Sequence, residues 1–207
     1  MTAPSALCVD IVDDEDILRE ALAFLFASRQ IPTRLWDSGE ALLAAWPLEG
    51  CACIILDVRL GGMSGPQVLE AMLQRAGSSM ALPPVIFLTG HADVPLAVQS
   101  LKTGAFDFLE KPFNDNQIVD LALKAMDLHQ SRRSQHSTKT AIAARINSLS
   151  ARERQVMDLI LDGQLNKQIA DTLGIALRTV EVHRARVLLK TGARNSVDLA
   201  KLCAQSE

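Results

Sequence analysis

No apolar run in this sequence approaches the ~18–20 residues that a membrane-spanning helix requires, which excludes an integral helical membrane protein. The first residues, MTAPSALCVD, have neither the basic start nor the long apolar stretch of a secretion signal. Cysteine is scarce, four in 207 residues, too few for a disulfide scaffold, so a reducing, cytoplasmic setting without a membrane partner is expected. No internal repeat appears, and 48% hydrophobic with 22% charged residues is ordinary globular composition, so a disordered chain is excluded as well. The length suits one large domain or two small ones.

The net charge of −3 hides a split. Residues 1–127 hold 17 Asp/Glu against 8 Lys/Arg, whereas residues 128–207 hold 7 against 13. An acidic front (−9) and a basic back (+6) indicate two modules with different partners, the basic one suited to a polyanion.

Over residues 1–127, short apolar runs alternate with amphipathic stretches. Strands are expected at 7–12, 33–35, 54–56, 85–88 and 106–109, and helices at 17–28, 39–46, 65–75, 94–103 and from 115 onward. In the first helix, Ile17, Leu18, Ala21, Leu22 and Leu25 are spaced to form one buried face. Strict β-α alternation predicts a doubly wound α/β domain with five parallel strands. Such a sheet places its site at the carboxyl ends of the strands. Residues 128–147 carry four basic residues, no acid, no Pro and no Gly, so this joint either continues the fifth helix or forms a polar tether. From residue 148 the pattern is all helical. Ser150 and Glu153 make a capping box for a helix with Val156, Met157, Ile160 and Leu161 inward and Gly163 at its end. Asn166 is expected to cap a short helix over 167–173 closed by Gly174. Helices over 177–191 and 196–203 follow, and the Gly174–Ala176 turn suits a helix-turn-helix.

Asp13 and Asp14 follow the first strand and Asp57 follows the third, so the expected fold gathers three carboxylates. Such a cluster repels itself without a counter-ion, and hard oxygen ligands suit Mg²⁺ or Mn²⁺. Thr89 ends the fourth strand and Lys111 follows the fifth, adding a hydroxyl and a cation. These are the parts of phosphoryl transfer, in which positioning and charge neutralisation do most of the catalysis.

Residues 6–127 resemble the receiver domain of bacterial two-component response regulators, and TGHADVPLAV with GAFDFLEKPF is similar to the FixJ-type subgroup. The resemblance implies a flavodoxin-like fold in which Asp57 accepts a phosphoryl group from a sensor histidine kinase. It further implies that Asp14 binds Mg²⁺ directly with help from Asp13, Asp57 and the Arg59 backbone carbonyl. Thr89 and Lys111 would contact phosphoryl oxygens, Pro112 would be cis, and Phe108 would be the aromatic switch. One departure is the loop DVRLGGMSG, where Leu60 and Gly61 replace the family's Met and Pro, which predicts altered loop stability or phosphate lifetime. Cys51 and Cys53 are expected as buried thiols, and His91, His129 and His136 have no ligand spacing.

Residues 148–203 resemble the LuxR/NarL-type helix-turn-helix DNA-binding domain through S-x-R-E, G-x-x-N-K-x-I-A and T-V-x-x-H. The resemblance makes 177–191 the recognition helix, opened by Thr179 and Val180. Glu181, Val182 and Ala185 are assigned to the base-facing side, and Lys167, Arg178, Arg184, Arg186 and Lys190 to phosphates. His183 is expected to pack or to touch phosphate. Ala176 stands where the family often has a capping Ser, so the recognition helix starts without that cap.

The sequence therefore predicts a phosphorylation-controlled transcriptional regulator: a receiver at 1–127, a basic joint at 128–147 and a DNA-binding domain at 148–207. Phosphorylation is expected to expose a homodimer surface, release the DNA-binding domain, or both, so that promoter DNA is gripped at two half-sites. Two rivals fit less well. An aspartate-nucleophile phosphatase would want a second acid in a D-x-D arrangement at Asp57, which is absent, and a small-molecule-gated DNA binder has no reason to gather Asp13, Asp14, Asp57 and Lys111.

Overall fold

The computed structural model describes residues 7–76, 82–90 and 104–206. The chain divides into two compact units, Met1–Arg133 and Ser134–Glu207.

Five strands make the first unit's sheet: β1 Cys8–Val12, β2 Thr33–Trp36, β3 Cys51–Asp57, β4 Val85–Thr89 and β5 Asp107–Glu110. Their order is β2-β1-β3-β4-β5 and every pairing is parallel. The helices are α1 Asp16–Ser28, α2 Gly39–Ala44, α3 Gly65–Ala76 and α4 Asp115–Asn147. The helix expected at 94–103, like His91, lies outside the described residues.

Alternation along β1 sends Val9 and Ile11 to one side of the sheet and Val12 to the other. On the first side they pack with Ile55, Ile86 and Leu88 against Leu22 and Phe26 of α1 and Ile118, Val119, Ala122 and Ala125 of α4. On the second, Val12, Ile54, Leu56 and Phe87 meet Leu42 and Leu43 of α2 and Val68, Leu69 and Met72 of α3. Both faces are covered, which is why CIIL and VIFL are apolar throughout. Strand order reverses between β1 and β3, and their carboxyl ends form the crevice where such sheets bind ligands.

The buried face of α1 differs from expectation. Ile17 is 79% exposed and Ala21 is exposed, whereas Phe26 is fully buried. Two adjacent stripes of α1, at 17/21/24 and at 18/22/25, satisfy the same helical spacing, and the sheet selects the second together with Phe26. Beneath the sheet, buried Asp10 accepts from Arg34 Nε and Nη2 at 2.8 and 2.7 Å and from Trp36 Nε1 at 2.7 Å. Cys51 and Cys53 are buried, and burial pushes both thiols up.

Helix α4 is continuous through the joint, so residues 128–147 are helical. His129 continues its inward stripe and is buried, with Nδ1 unpartnered, and burial holds its pKa below that of a free histidine. Residues 130–141 are exposed on every side. The boundary between the two units falls within this stretch.

The second unit adds α5 Ala151–Leu161, α6 Asn166–Leu173, α7 Leu177–Thr191 and α8 Ser196–Ser206. The capping box is present: Ser150 Oγ accepts from the Glu153 N–H, and Glu153 Oε2 accepts from the Ser150 N–H at 2.8 Å. Val156, Met157 and Ile160 are buried with Ile169, Val180, Val187 and Leu199, but Leu161 is exposed because the stripe ends at Ile160. Asn166 is not the cap of α6. It is the helix's first residue and follows Leu165, whose N–H donates to Gln168 Oε1 at 2.8 Å. Gly174 closes α6 at φ 62°, a left-handed conformation that suits glycine, and α7 begins after Ala176 with no side-chain cap. Among the described residues, no helix is long and apolar enough to cross a membrane.

Candidate functional site: an acidic crevice and a basic helix

Strand ends deliver the acidic site. Asp13 follows β1, and Asp57 closes β3. One carboxylate oxygen each from Asp13, Asp14 and Asp57 lies within 4.8 Å of the others. Asp13 and Asp57 are buried and Asp14 is exposed, so the cluster opens to solvent on the Asp14 side. Lys111, just past β5, donates from Nζ to Asp13 Oδ2 at 2.8 Å and lies 2.9 Å from Asp57 Oδ1. The Lys111–Pro112 peptide bond is cis.

Burial pushes the Asp57 pKa up, and the Lys111 ammonium opposes that rise without cancelling it, while Asp13 adds repulsion. The Arg59 backbone N–H also donates to the Asp57 carboxylate. Burial alone would lower Lys111, but its two carboxylate partners hold it above an ordinary lysine. Three hard carboxylates with one charge compensated by the lysine leave net negative charge at the opening, a donor set that fits Mg²⁺ better than a soft metal.

Thr89 is fully buried at the end of β4, and its hydroxyl donates to the Gly90 carbonyl at 3.1 Å. Phe108 is half-buried on β5, opposite Phe87, and packs against the core on the α2/α3 side. The hydroxyl and the aromatic ring thus stand on neighbouring strands flanking the crevice, whereas Lys111 engages the carboxylates directly.

Three supporting residues are not evident from motif reading. Arg19 of α1 donates to the Asp13 carbonyl at 2.6 Å and pairs with Asp16, fixing the start of α1 under the cluster. Glu40 of α2 accepts from the Met63 N–H at 2.8 Å and so ties down the loop that lacks the family's proline. Gly65 lies so close beneath β3 that a Cβ there would overlap the Asp57 carbonyl oxygen and approach Phe87 to 2.9 Å. Each of these ties depends on the path of a loop, which motif reading does not specify.

In the second unit, Val180, Val187 and Thr191 face the core of α7. Arg178, Thr179, Glu181, Val182, Ala185 and Arg186 are exposed on that helix, and Lys167 is exposed on α6. Arg184 is half-buried and donates to Asn166 Oδ1 at 3.1 Å, so it braces α6 against α7. Lys190 is exposed near the end of the same helix, with its Nζ 2.7 Å from Oε2 of buried Glu153. His183 is half-buried with Nδ1 enclosed and unpartnered.

Comparison with known proteins places both units. Residues 9–123 match the family described as "Response regulator receiver domain", and residues 147–203 match "Bacterial regulatory proteins, luxR family". The C4-dicarboxylate transport transcriptional regulatory protein DctR of Rhodobacter capsulatus is 64% identical over 194 residues, covering 94% of this chain and 98% of that protein. The transcriptional regulatory protein FixJ of Azorhizobium caulinodans is 42% identical over 200 residues, covering 96% and 92%. Among solved structures, the response regulator StyR superposes with a TM-score of 0.88 at 34% identity, covering 97% of this chain and all of that one.

Proposed function

The chain belongs to the two-component response regulators that join a receiver domain to a LuxR-type DNA-binding domain, and we propose that Asp57 is its phosphoacceptor and α7 its reader of promoter DNA. The lysine–carboxylate arrangement carries this reading: Lys111 Nζ spans Asp13 and Asp57 beside exposed Asp14. An Asp57 carboxylate oxygen attacks the phosphorus of a sensor kinase phosphohistidine. The new O–P bond forms as the N–P bond breaks, and the imidazole leaves with a proton. Lys111 and Thr89 are assigned to phosphoryl oxygens, Thr89 by exchanging its bond to Gly90. Asp13, Asp14, Asp57 and the Arg59 carbonyl would hold Mg²⁺ or Mn²⁺, which neutralises charge on the transferred group.

We divide the chain into a receiver over 1–127, a joint over 128–147 and a DNA-binding domain over 148–207. Inward movement of Thr89 gives Phe108 space to follow and alters the receiver surface. Raising an active state from 1% to 99% takes about 5.5 kcal/mol of differential stabilisation. Phosphoryl contacts and formation of a homodimer together supply it, and a dimer doubles the base contacts of one small domain. The working compartment is the cytoplasm, where the kinase's phosphoryl donor and the promoter are both found.

The test is phosphoryl labelling from a phosphorylated sensor kinase. Asp57→Asn is expected to keep the circular dichroism of the parent and to take up no acid-stable label. Stable label on that variant would overturn the assignment of Asp57.

A further inference from the structure

Leu189 is 81% exposed, more than any other large hydrophobic residue among those described. It lies on α7, whose core-facing residues are Val180, Val187 and Thr191. At 100° per residue, Arg178, Val182, Ala185 and Leu189 recur at i, i+4, i+7 and i+11 and form one straight stripe opposite that core face. Val182 on the same stripe is 45% exposed, and Arg186 borders it. Val182, Ala185 and Leu189 thus offer an exposed apolar ridge to a partner.

The charges around the ridge identify the occupant. The helix has four basic residues and one acid, Glu181. Lys190, next to Leu189, is turned to Glu153 and leaves the ridge's end without an ammonium of its own. A second copy seated on the ridge would set one net positive helix against another, which repel. A DNA major groove carries phosphates along both edges for these arginines, and its one apolar feature is the thymine 5-methyl group. Leu189 lies seven residues from Val182, ~10 Å along the axis, or about three base steps.

We infer that Leu189 is a specificity-determining residue that reads a thymine methyl about three base pairs beyond the position read by Val182. This rests on the DNA-reading role of α7, and it extends that reading surface about one turn beyond Ala185 towards the helix's carboxyl end.

The test uses the full chain with a beryllium trifluoride phosphoryl mimic and a duplex selected by that protein from a random-sequence pool. Each thymine of the selected site is replaced in turn by deoxyuridine, which removes only the methyl. One or two replacements are expected to weaken the parent by about fourfold per methyl. The same replacements should have no effect on Leu189→Ala, while Leu189→Met should retain most of the sensitivity. Because Leu189 is exposed, both variants should melt as the parent does. If the duplex is bound but no methyl effect depends on residue 189, the inference is overturned and the DNA-binding reading stands. If Leu189→Ala instead weakens self-association of the DNA-free chain with methyl effects unchanged, the ridge belongs to a second copy and the inference is likewise overturned. If no duplex emerges from selection, the DNA-reading role of α7 itself fails.

Discussion

Glu153 serves two structures at once. It completes the capping box of α5 and accepts from Lys190 of α7, so one buried carboxylate ties the start of one helix to the end of another. The Lys190 ammonium and the Ser150 N–H hold its pKa down to about 2, against 4.5 for an ordinary glutamate. A depressed carboxylate contributes stability that is complete above the unfolded value and lost as pH falls through the folded one. The second unit is therefore expected to lose stability between pH 4.5 and about 2 through this residue. Glu153→Gln should flatten that part of the profile, as followed by helical circular dichroism in urea at stepped pH. An equally steep acid limb in the variant would show that other groups govern it. A basic residue in the last turn of a recognition helix reads from sequence as a phosphate contact. That Lys190 also pairs with Glu153 is hidden from the sequence, because the partner lies 37 residues earlier and only the packing of α5 on α7 brings the two together.

Among the elements, α7 shows what local signals can and cannot specify. Its bounds were legible, since the helix expected over 177–191 is the one observed, and Gly174 and Gly192 take left-handed conformations that end α6 and α7. Its start nonetheless lacks a side-chain acceptor at Ala176, where φ −66° and ψ 145° already suit a capping residue. Ala176→Ser is expected to stabilise the second unit by about 0.5–2 kcal/mol, read as a higher melting temperature of the full chain's second-unit transition. Helix α1 was less legible. Ile17/Ala21/Phe24 and Leu18/Leu22/Leu25 are equally good stripes, and burial of Phe26 against the sheet breaks the tie. The acidic cluster was legible because strand order and loop position suffice to gather Asp13, Asp14 and Asp57. The ties from Arg19 and Glu40 were not, since each depends on the path of a loop.

For the whole molecule, charge is the property that couples chemistry to partner choice. A −9 front suits a cation-dependent phosphoacceptor, and a +6 back suits DNA. Under the proposed DNA-reading role, the exposed residues of α7 divide into base and phosphate contacts. Arg186→Ala should weaken binding to all duplexes alike and reduce the slope of log affinity against log salt by about one. Glu181→Ala should leave the slope nearly unchanged and relax base preference, as measured on a panel of single-base variants of the selected site. Equal losses on every duplex for both substitutions would reject this division.

The hydrogen bond from Trp36 to Asp10 has a practical corollary. The chain has no tyrosine and two tryptophans, Trp36 and Trp46, both in the first unit. Intrinsic emission excited at the red edge of the indole band therefore watches only the phosphoacceptor half, while helical ellipticity watches both. A denaturation curve recorded by light and by ellipticity on one sample should separate into two transitions wherever the halves melt independently. Release of the indole N–H from its carboxylate will mark the first unit's transition by a red-shifted spectrum.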